Sequence, residues 1–503
     1  MASIRKQTII SSILIYIGFA IGMINNYLYT KEGFFTPGQY GLTQIFFDFA
    51  QIVFAFGALG IIPVIYKFFP YYKDNLEKKQ IDLLTWAMAI AVVGMICIAV
   101  GGWLFKPVFI KKFIANSKLI LEYYSWLFPF AMGMLLWSVL ESYSWAMHRS
   151  IMSNFLKETA MRVITIILIF LFYGKIISFS QFIYLFAFQY IAIFLVLGIY
   201  LYRKDELHFS FKVSRVTRKY WKKMFNMQTL IWSGTIVAAV AATIDSLIIA
   251  SVLGLTSTGI FAFARNASNL IQVPMRSIIG ISAGVLARAW KDKNYKEINR
   301  IYYRSSINLF LISLFIFGHI WLNAQDGIQL LHIQQKYLDA LAVIFMLCIV
   351  RTVDAGTGLN SLVISTSTYW RFDFLSSVAL MALRLPLTYY LIKTYGIIGS
   401  AYAELISVTF INFTRYEFLR RRFNMQPFRM QTLYAVILAA GAYGICYLLF
   451  KDMHTWLGVF LRIIVFSGLM AAGIFFGKLT PDAGQMFEVV LAKVKRQKSK
   501  FNN

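Results

Sequence analysis

The chain has 503 residues, of which 59% are hydrophobic and only 14% charged, with a mean hydropathy of +0.64; soluble globular proteins carry about a quarter of their residues as charges. Water is therefore not its main solvent, and a soluble enzyme is excluded. The net charge of +27 does not signal nucleic acid, because the Lys and Arg residues gather in alternate loops, as the positive-inside rule describes, and form no continuous basic domain.

Apolar runs of about 20 residues, each able to cross roughly 30 Å of hydrocarbon, recur at 8–29, 41–66, 81–105, 119–146, 154–174, 179–202, 227–254, 257–287, 302–325, 336–365, 372–393, 396–420, 431–450 and 456–477. The expected fold class is all-α, a polytopic bundle of about 14 transmembrane helices. The first run follows Arg5 and Lys6 and has no small-x-small cleavage site, so it reads as a span and not a signal peptide. With both termini in the cytoplasm, the inside segments collect about 35 Lys and Arg and the outside ones about 9, four of these in the loop of Lys106, Lys111, Lys112 and Lys118. Outside loops are too short for a folded domain, and no Walker or GxGxxG pattern in strand context appears, which weighs against a membrane enzyme of glycan assembly. Cys97, Cys348 and Cys446 lie in separate apolar runs, and the five histidines show no metal spacing, so neither a disulfide framework nor a metal or other cofactor is expected.

Thr36-Pro-Gly-Gln-Tyr-Gly-Leu-Thr-Gln, an apolar helix and a charged turn return about 220 residues later as Thr256-Ser-Thr-Gly-Ile-Phe-Ala-Phe-Ala, a long helix and Lys291-Asp-Lys-Asn. Two six-helix halves follow, and an even number of helices makes them parallel repeats, a known transporter plan with the site between the halves. The expected organisation is an N-terminal lobe over 1–203, a cytoplasmic linker over 204–226, a C-terminal lobe over 227–422, and two further helices with a basic cytoplasmic tail over 423–503.

Gln39-Tyr-Gly-Leu, Ile244-Asp-Ser-Leu-Ile-Ile-Ala-Ser-Val-Leu-Gly ahead of Gly259-Ile-Phe, and Tyr395-Gly-Ile-Ile-Gly-Ser-Ala-Tyr-Ala-Glu resemble, in order and spacing, the Wzx-type O-antigen and capsule flippases of the multidrug/oligosaccharidyl-lipid/polysaccharide superfamily, over almost the whole chain. The resemblance implies a V-shaped pair of lobes in a bacterial cytoplasmic membrane that moves a polyprenyl-pyrophosphate-linked glycan to the outer leaflet. Membrane lipids and that glycan are then the partners, any glycan-assembly partners being unidentified. The related lipid II flippases are expected to carry arginines in their first two helices, which this chain lacks.

A charge at mid-helix costs at least ~2.5 to 3.5 kcal/mol on insertion scales, so it normally faces a cavity or a partner. Arg265, Asn269, Gln272 and Arg276 are spaced 4, 3 and 4 in the eighth span, which predicts one helix face with the arginines ~16 Å apart. That face suits an anionic pyrophosphate, because guanidinium forks onto phosphate oxygens. Arg265 has an alternative partner in Asp245, at similar depth in the seventh span; Arg276 has no acid at matching depth and is assigned to substrate. Arg351 and Asp354 could satisfy each other, as could Arg384 and Glu404, with Arg351 also kept as a substrate candidate. The run Ala355-Gly-Thr-Gly predicts a bend. In the first half, Gln44, Asp48 and Gln51 form one polar stripe and Ser138, Glu141, Ser142 and Trp145 another. These either hydrogen-bond sugar hydroxyls, with Trp145 stacking on a ring, or merely pack helices; Asp48 and Glu141 could instead hold a coupling proton or Na+. A cation-coupled multidrug exporter is the rival function, followed by a non-transporting scaffold.

Overall fold

The computed structural model describes residues 2–482, with side chains from residue 14 onward apart from Leu230; the expected basic tail from Lys493 lies outside the described residues. The chain is all-helical. A polypeptide in hydrocarbon must satisfy its backbone internally, and helices do so without an edge.

The first compact unit ends at Ala262. It contains α1 (Ala2–Thr30), α2 (Pro37–Gly57), α3 (Ile61–Asn75), α4 (Leu83–Leu104), α5 (Lys106–Phe113), α6 (Lys118–Glu122), α7 (Leu127–Ala146), α8 (Ser150–Asn154), α9 (Met161–Tyr173), α10 (Phe179–Ala187), α11 (Gln189–Arg203), α12 (Arg215–Val252) and the start of α13 (Leu255–Ser268). Thr36 opens α2 with a reciprocal cap, its hydroxyl accepting from the Gln39 N–H while the Gln39 side chain accepts from the Thr36 N–H. Left-handed Leu59 and Gly60 end α2 and set α3 at 52° to it, so the predicted span 41–66 is a bent pair. The segment expected as a linker is helical from Arg215, where Ser214 caps a continuous helix of 38 residues.

The two repeated motifs meet inside this unit. A Cβ on Gly41 would lie 2.9 Å from the Gly259 amide, and one on Gly259 3.2 Å from the Gly41 amide. Only glycine on both helices permits that approach. A further seam of rings joins α2, α7 and α10: Phe130 stacks on Phe186 at 5.2 Å, Phe46 meets Phe130 edge-on at 5.7 Å, and Phe182 continues the stack from Phe186 at 5.8 Å. The lysine-rich loop covers the C-terminus of α12, with Asn116 and Ser117 donating to the carbonyls of Ser251, Val252 and Ala250. Cations there complement the negative helix end.

The second compact unit begins at Phe263 and contains α14 (Val273–Lys291), α15 (Tyr295–Leu330), α16 (Leu341–Gly356), α17 (Asn360–Ser365), α18 (Trp370–Tyr395), α19 (Ile397–Phe423), α20 (Met430–Phe450) and α21 (Trp456–Phe476). The predicted bend is a break: α16 stops at Gly356, Gly358 adopts a φ of +65°, and α17 restarts at Asn360. Leu286, Ile298, Val363, Leu419 and Met425 pack together at one end of this unit, which gathers Arg288, Lys291, Arg300 and Arg420 to Arg422 on that end. Helices α20 and α21 pack on α15 through Leu322, Ala442, Cys446 and Phe466.

Among the described residues nine helices are long and apolar enough to cross a membrane, ten if the bent pair counts as one. This is the composition of a multi-pass membrane protein. Of the other predicted spans, 8–29 lies within the continuous α1 and the rest are built from shorter pieces, as in α8 and α9, which are joined by a π-helical turn over Phe155–Ala160, and in α16 and α17.

Candidate substrate surface and ion-pair network

The eighth predicted span is not one regular helix. Pro274, in the first turn of α14, lacks an N–H, and the chain ahead of it tightens into a 3-10 turn over Asn269–Gln272. Four residues at three per turn rotate Arg276 roughly 80° from where an unbroken helix would put it. The expectation that Arg265, Asn269, Gln272 and Arg276 share one face is therefore corrected. Arg265 and Asp245 each have a partner. Arg276 is exposed and makes no ion pair or hydrogen bond with the described residues.

Arg276 begins an open row along α14, Arg276, Gly280, Gly284 and Arg288, at intervals of four, with its guanidiniums carried on Cα atoms roughly 18 Å apart. A Cβ on either glycine would meet nothing. The other face, with Met275, Ile278 and Ile279, packs on Leu309, Ala355 and Leu359. An arginine about three turns from the basic end, with no partner among the described residues, is costly to turn to lipid, which makes this row the candidate for a substrate-facing surface.

In the same unit, three charges from α16, α18 and α19 are drawn together. Arg351 Nη1 donates to Glu404 Oε1 at 2.6 Å, and Arg384 Nη2 lies 3.2 Å from Oε2, with all three side chains largely buried. The expected Arg384 and Glu404 pair is present. The expected Arg351 and Asp354 pair is not: α19 crosses α16 and presents Arg351 with a better acceptor in Glu404. Asp354 Oδ1 instead accepts from Asn412 Nδ2 at 3.0 Å, and Asn412 Oδ1 accepts from Asn360 Nδ2 at 2.9 Å, which ties the break after α16 to α19. Two guanidiniums thus share one carboxylate, and Arg384 has a further partner besides.

In the first unit, Glu141 is 8% exposed and is not the unpaired carboxylate the sequence suggested, since Lys157 Nζ lies 3.1 Å away. Lys157 comes from the π-helical turn, which also presents Glu158 to Arg162 at 2.7 Å. Asp48 is buried with a partner of its own, Gln44 is half-buried and Gln51 exposed. Ser138 and Ser142 donate to carbonyls one turn back. Trp145 donates its indole N–H to Ser153 Oγ at 2.8 Å and keeps its ring 42% exposed, a surface on which a sugar could stack.

Sequence reasoning missed Lys157, Glu158 and Arg162. It also missed the Arg415 and Asp373 pair at 2.9 Å, and Asp326, which accepts from Arg462 and from His454 Nδ1 at 2.8 Å. The signal for Arg415 was available, as an arginine inside the span predicted over 396–420.

No protein-family model and no curated protein sequence matches the chain. Solved structures do. A lipid II flippase MurJ in an inward-closed conformation matches with a TM-score of 0.73 at 15% identity, over 94% of this chain and 99% of that one. An inward-facing multidrug resistance MATE family transporter of the MOP superfamily gives 0.66 at 14% identity, over 80% and 94%. A MOP superfamily transporter from Pyrococcus furiosus, described by the reverse polarity of its binding pocket, gives 0.55 at 14% identity, over 84% and 96%. The chain shares its fold with these transporters. At such identities the fold is what is shared, and the site residues must speak for the cargo.

Proposed function

We propose that the protein is a flippase that carries a polyprenyl-pyrophosphate-linked oligosaccharide from the cytoplasmic to the outer leaflet of a bacterial cytoplasmic membrane, supplying surface polysaccharide or lipopolysaccharide synthesis. The observation that carries the reading is Arg276, a guanidinium without an ion pair or hydrogen bond among the described residues, on an open row whose glycines let a bulky ligand lie against the backbone. Arg351, which shares Glu404 with Arg384, is a second candidate for the anion; Asn269, Gln272, Gln44 and the Trp145 ring supply the hydrogen bonds and stacking that a glycan needs.

The lobes over 1–203 and 227–422, with both termini in the cytoplasm, alternate access to the two sides while the lipid tail stays in the bilayer. Outward movement of an anionic headgroup from a negative interior is downhill by ~2.3 kcal/mol per charge per 100 mV, so ATP is not required. The rival exporter of cationic drugs needs a carboxylate free to bind them. Glu141, Glu404, Asp373 and Asp326 are each held by a basic side chain, and Asp48 and Asp245 also have partners, which favours the anionic cargo.

The test is translocation of a fluorescent polyprenyl-pyrophosphate oligosaccharide in proteoliposomes under an imposed potential. Wild type is expected to flip it faster with a negative source side, and Arg276→Ala to lose roughly ten- to a hundredfold, the worth of a charge-assisted bond. Equal rates in the two proteins would remove Arg276 from the cargo path and the basis of the proposal with it.

A further inference from the structure

A second basic site, with no lining residue from α14, lies at the end of the second unit where α20 begins and α21 ends. A cavity of about 500 Å³ is lined there by Tyr303, Arg429, Gln431, Phe475, Phe476 and Lys478, a volume in the range of small-molecule sites. The Arg429 guanidinium sits 4.1 Å from the centre of the Tyr303 ring, which fixes its position without neutralising it. Neither Arg429 nor Lys478 has a carboxylate partner among the described residues. The acid next along the chain, Asp482, is already occupied by Arg304 at 3.4 Å and by Asn308 Nδ2 at 2.7 Å.

The setting is amphipathic in a particular order. Arg429 immediately precedes α20 and Lys478 follows α21 by two residues, so both cations stand at the depth where a helix leaves the hydrocarbon. Phe475 and Phe476 stand on the membrane side of Lys478, the latter 81% exposed. This is also the end that carries Arg288, Lys291, Arg300 and Arg420 to Arg422, the end that charge asymmetry directs to the anionic leaflet. Cations that face polar headgroups above, with rings that face acyl chains below, fit a molecule that has a phosphate at its interface end and hydrocarbon beneath it. A soluble anion would use the cations and leave the rings unexplained.

We propose that this cavity holds the phosphate of an anionic glycerophospholipid, bound between Arg429 and Lys478, as a site separate from the transport row on α14. The lipid would brace α20 and α21 against α15. The proposal stands whether or not the cargo is a lipid-linked glycan.

The experiment is native mass spectrometry of the full chain released from nanodiscs of phosphatidylglycerol and phosphatidylcholine. Wild type is expected to retain phosphatidylglycerol over phosphatidylcholine, with retention reduced about tenfold in Arg429→Ala and in Lys478→Gln. Arg429→Lys should keep much of it. Lys478 is exposed beyond the helix end, so Lys478→Gln keeps the test informative if loss of the Arg429 and Tyr303 stack unfolds the first variant. Retention equal for both lipids, or unchanged in a folded Lys478→Gln protein, overturns the site. Displacement of phosphatidylglycerol by millimolar inorganic phosphate would overturn the lipid assignment, and displacement by polyprenyl pyrophosphate that Arg276→Ala abolishes would overturn its separateness.

Discussion

Replacing Glu404 with Gln removes the one negative charge that Arg351 and Arg384 share. Each guanidinium now contacts its own carboxylate oxygen, at 2.6 and 3.2 Å, so the two positive charges lie roughly 6 Å apart. At an effective dielectric constant of about 20 their repulsion is about 3 kcal/mol, and truncating one member of a buried ion pair costs about 3 to 5 kcal/mol. Arg351→Met should cost less, about 1 to 2 kcal/mol, because it leaves the Glu404 carboxylate paired with Arg384. Replacing all three residues with Met should recover most of the loss, since hydrophobic side chains of similar volume carry no desolvation penalty. Thermal unfolding of the four proteins in nanodiscs would rank them, with Glu404→Gln expected lowest. A Glu404→Gln protein as stable as Arg351→Met would refute the shared-charge reasoning.

The glycine row on α14 predicts opposite outcomes for two substitutions at one position. Gly280→Ala meets open space and should stabilise the helix by up to about 1 kcal/mol, whereas Gly280→Phe should leave unfolding unchanged and block glycan flipping in the proteoliposome assay. Gly358→Ala should destabilise by about 2 kcal/mol or more, read as a lowered melting temperature, because its φ of +65° is strained for alanine and a Cβ would press to 2.9 Å from the Ser306 amide. Lys157→Met strands the buried Glu141 carboxylate and should cost about 3 kcal/mol; Glu141→Gln in the same chain should restore most of it, and a double-mutant cycle with no coupling would contradict the pair.

The helical class was legible because hydrocarbon allows a spanning chain so few options, and most predicted spans coincide with a helix or a pair of helices. What escaped was where regular geometry fails. Counting by 3.6 residues per turn put Arg265 and Arg276 on one face, but Pro274 forces a tighter turn between them. The same counting treated the span over 154–174 as uniform, and so overlooked Lys157, which the wide π turn presents to Glu141. Depth matching found Arg384 with Glu404, since both sit at comparable distances from their helix ends. Spacing along one helix offered Asp354 to Arg351 and overlooked Glu404, because that contact depends on how α19 crosses α16. The glycine run after Asp354 was readable, as it acts through the local backbone alone.

The rings that join α2, α7 and α10 bear on how the first unit can move. Edge-to-face and stacked contacts at 5 to 6 Å lose their attraction with small changes in orientation, and three of these rings come from three different helices. That end of the unit is therefore a stiff block. The softer material lies at the other end of α7, where Glu141 meets the π turn and where α1 abuts that turn through Gly18 and Arg162 at the start of α9 through Gly22. Any bending within this unit during a transport cycle is expected to concentrate there, so that the polar residues ride on the moving part and the phenylalanines act as its anchor.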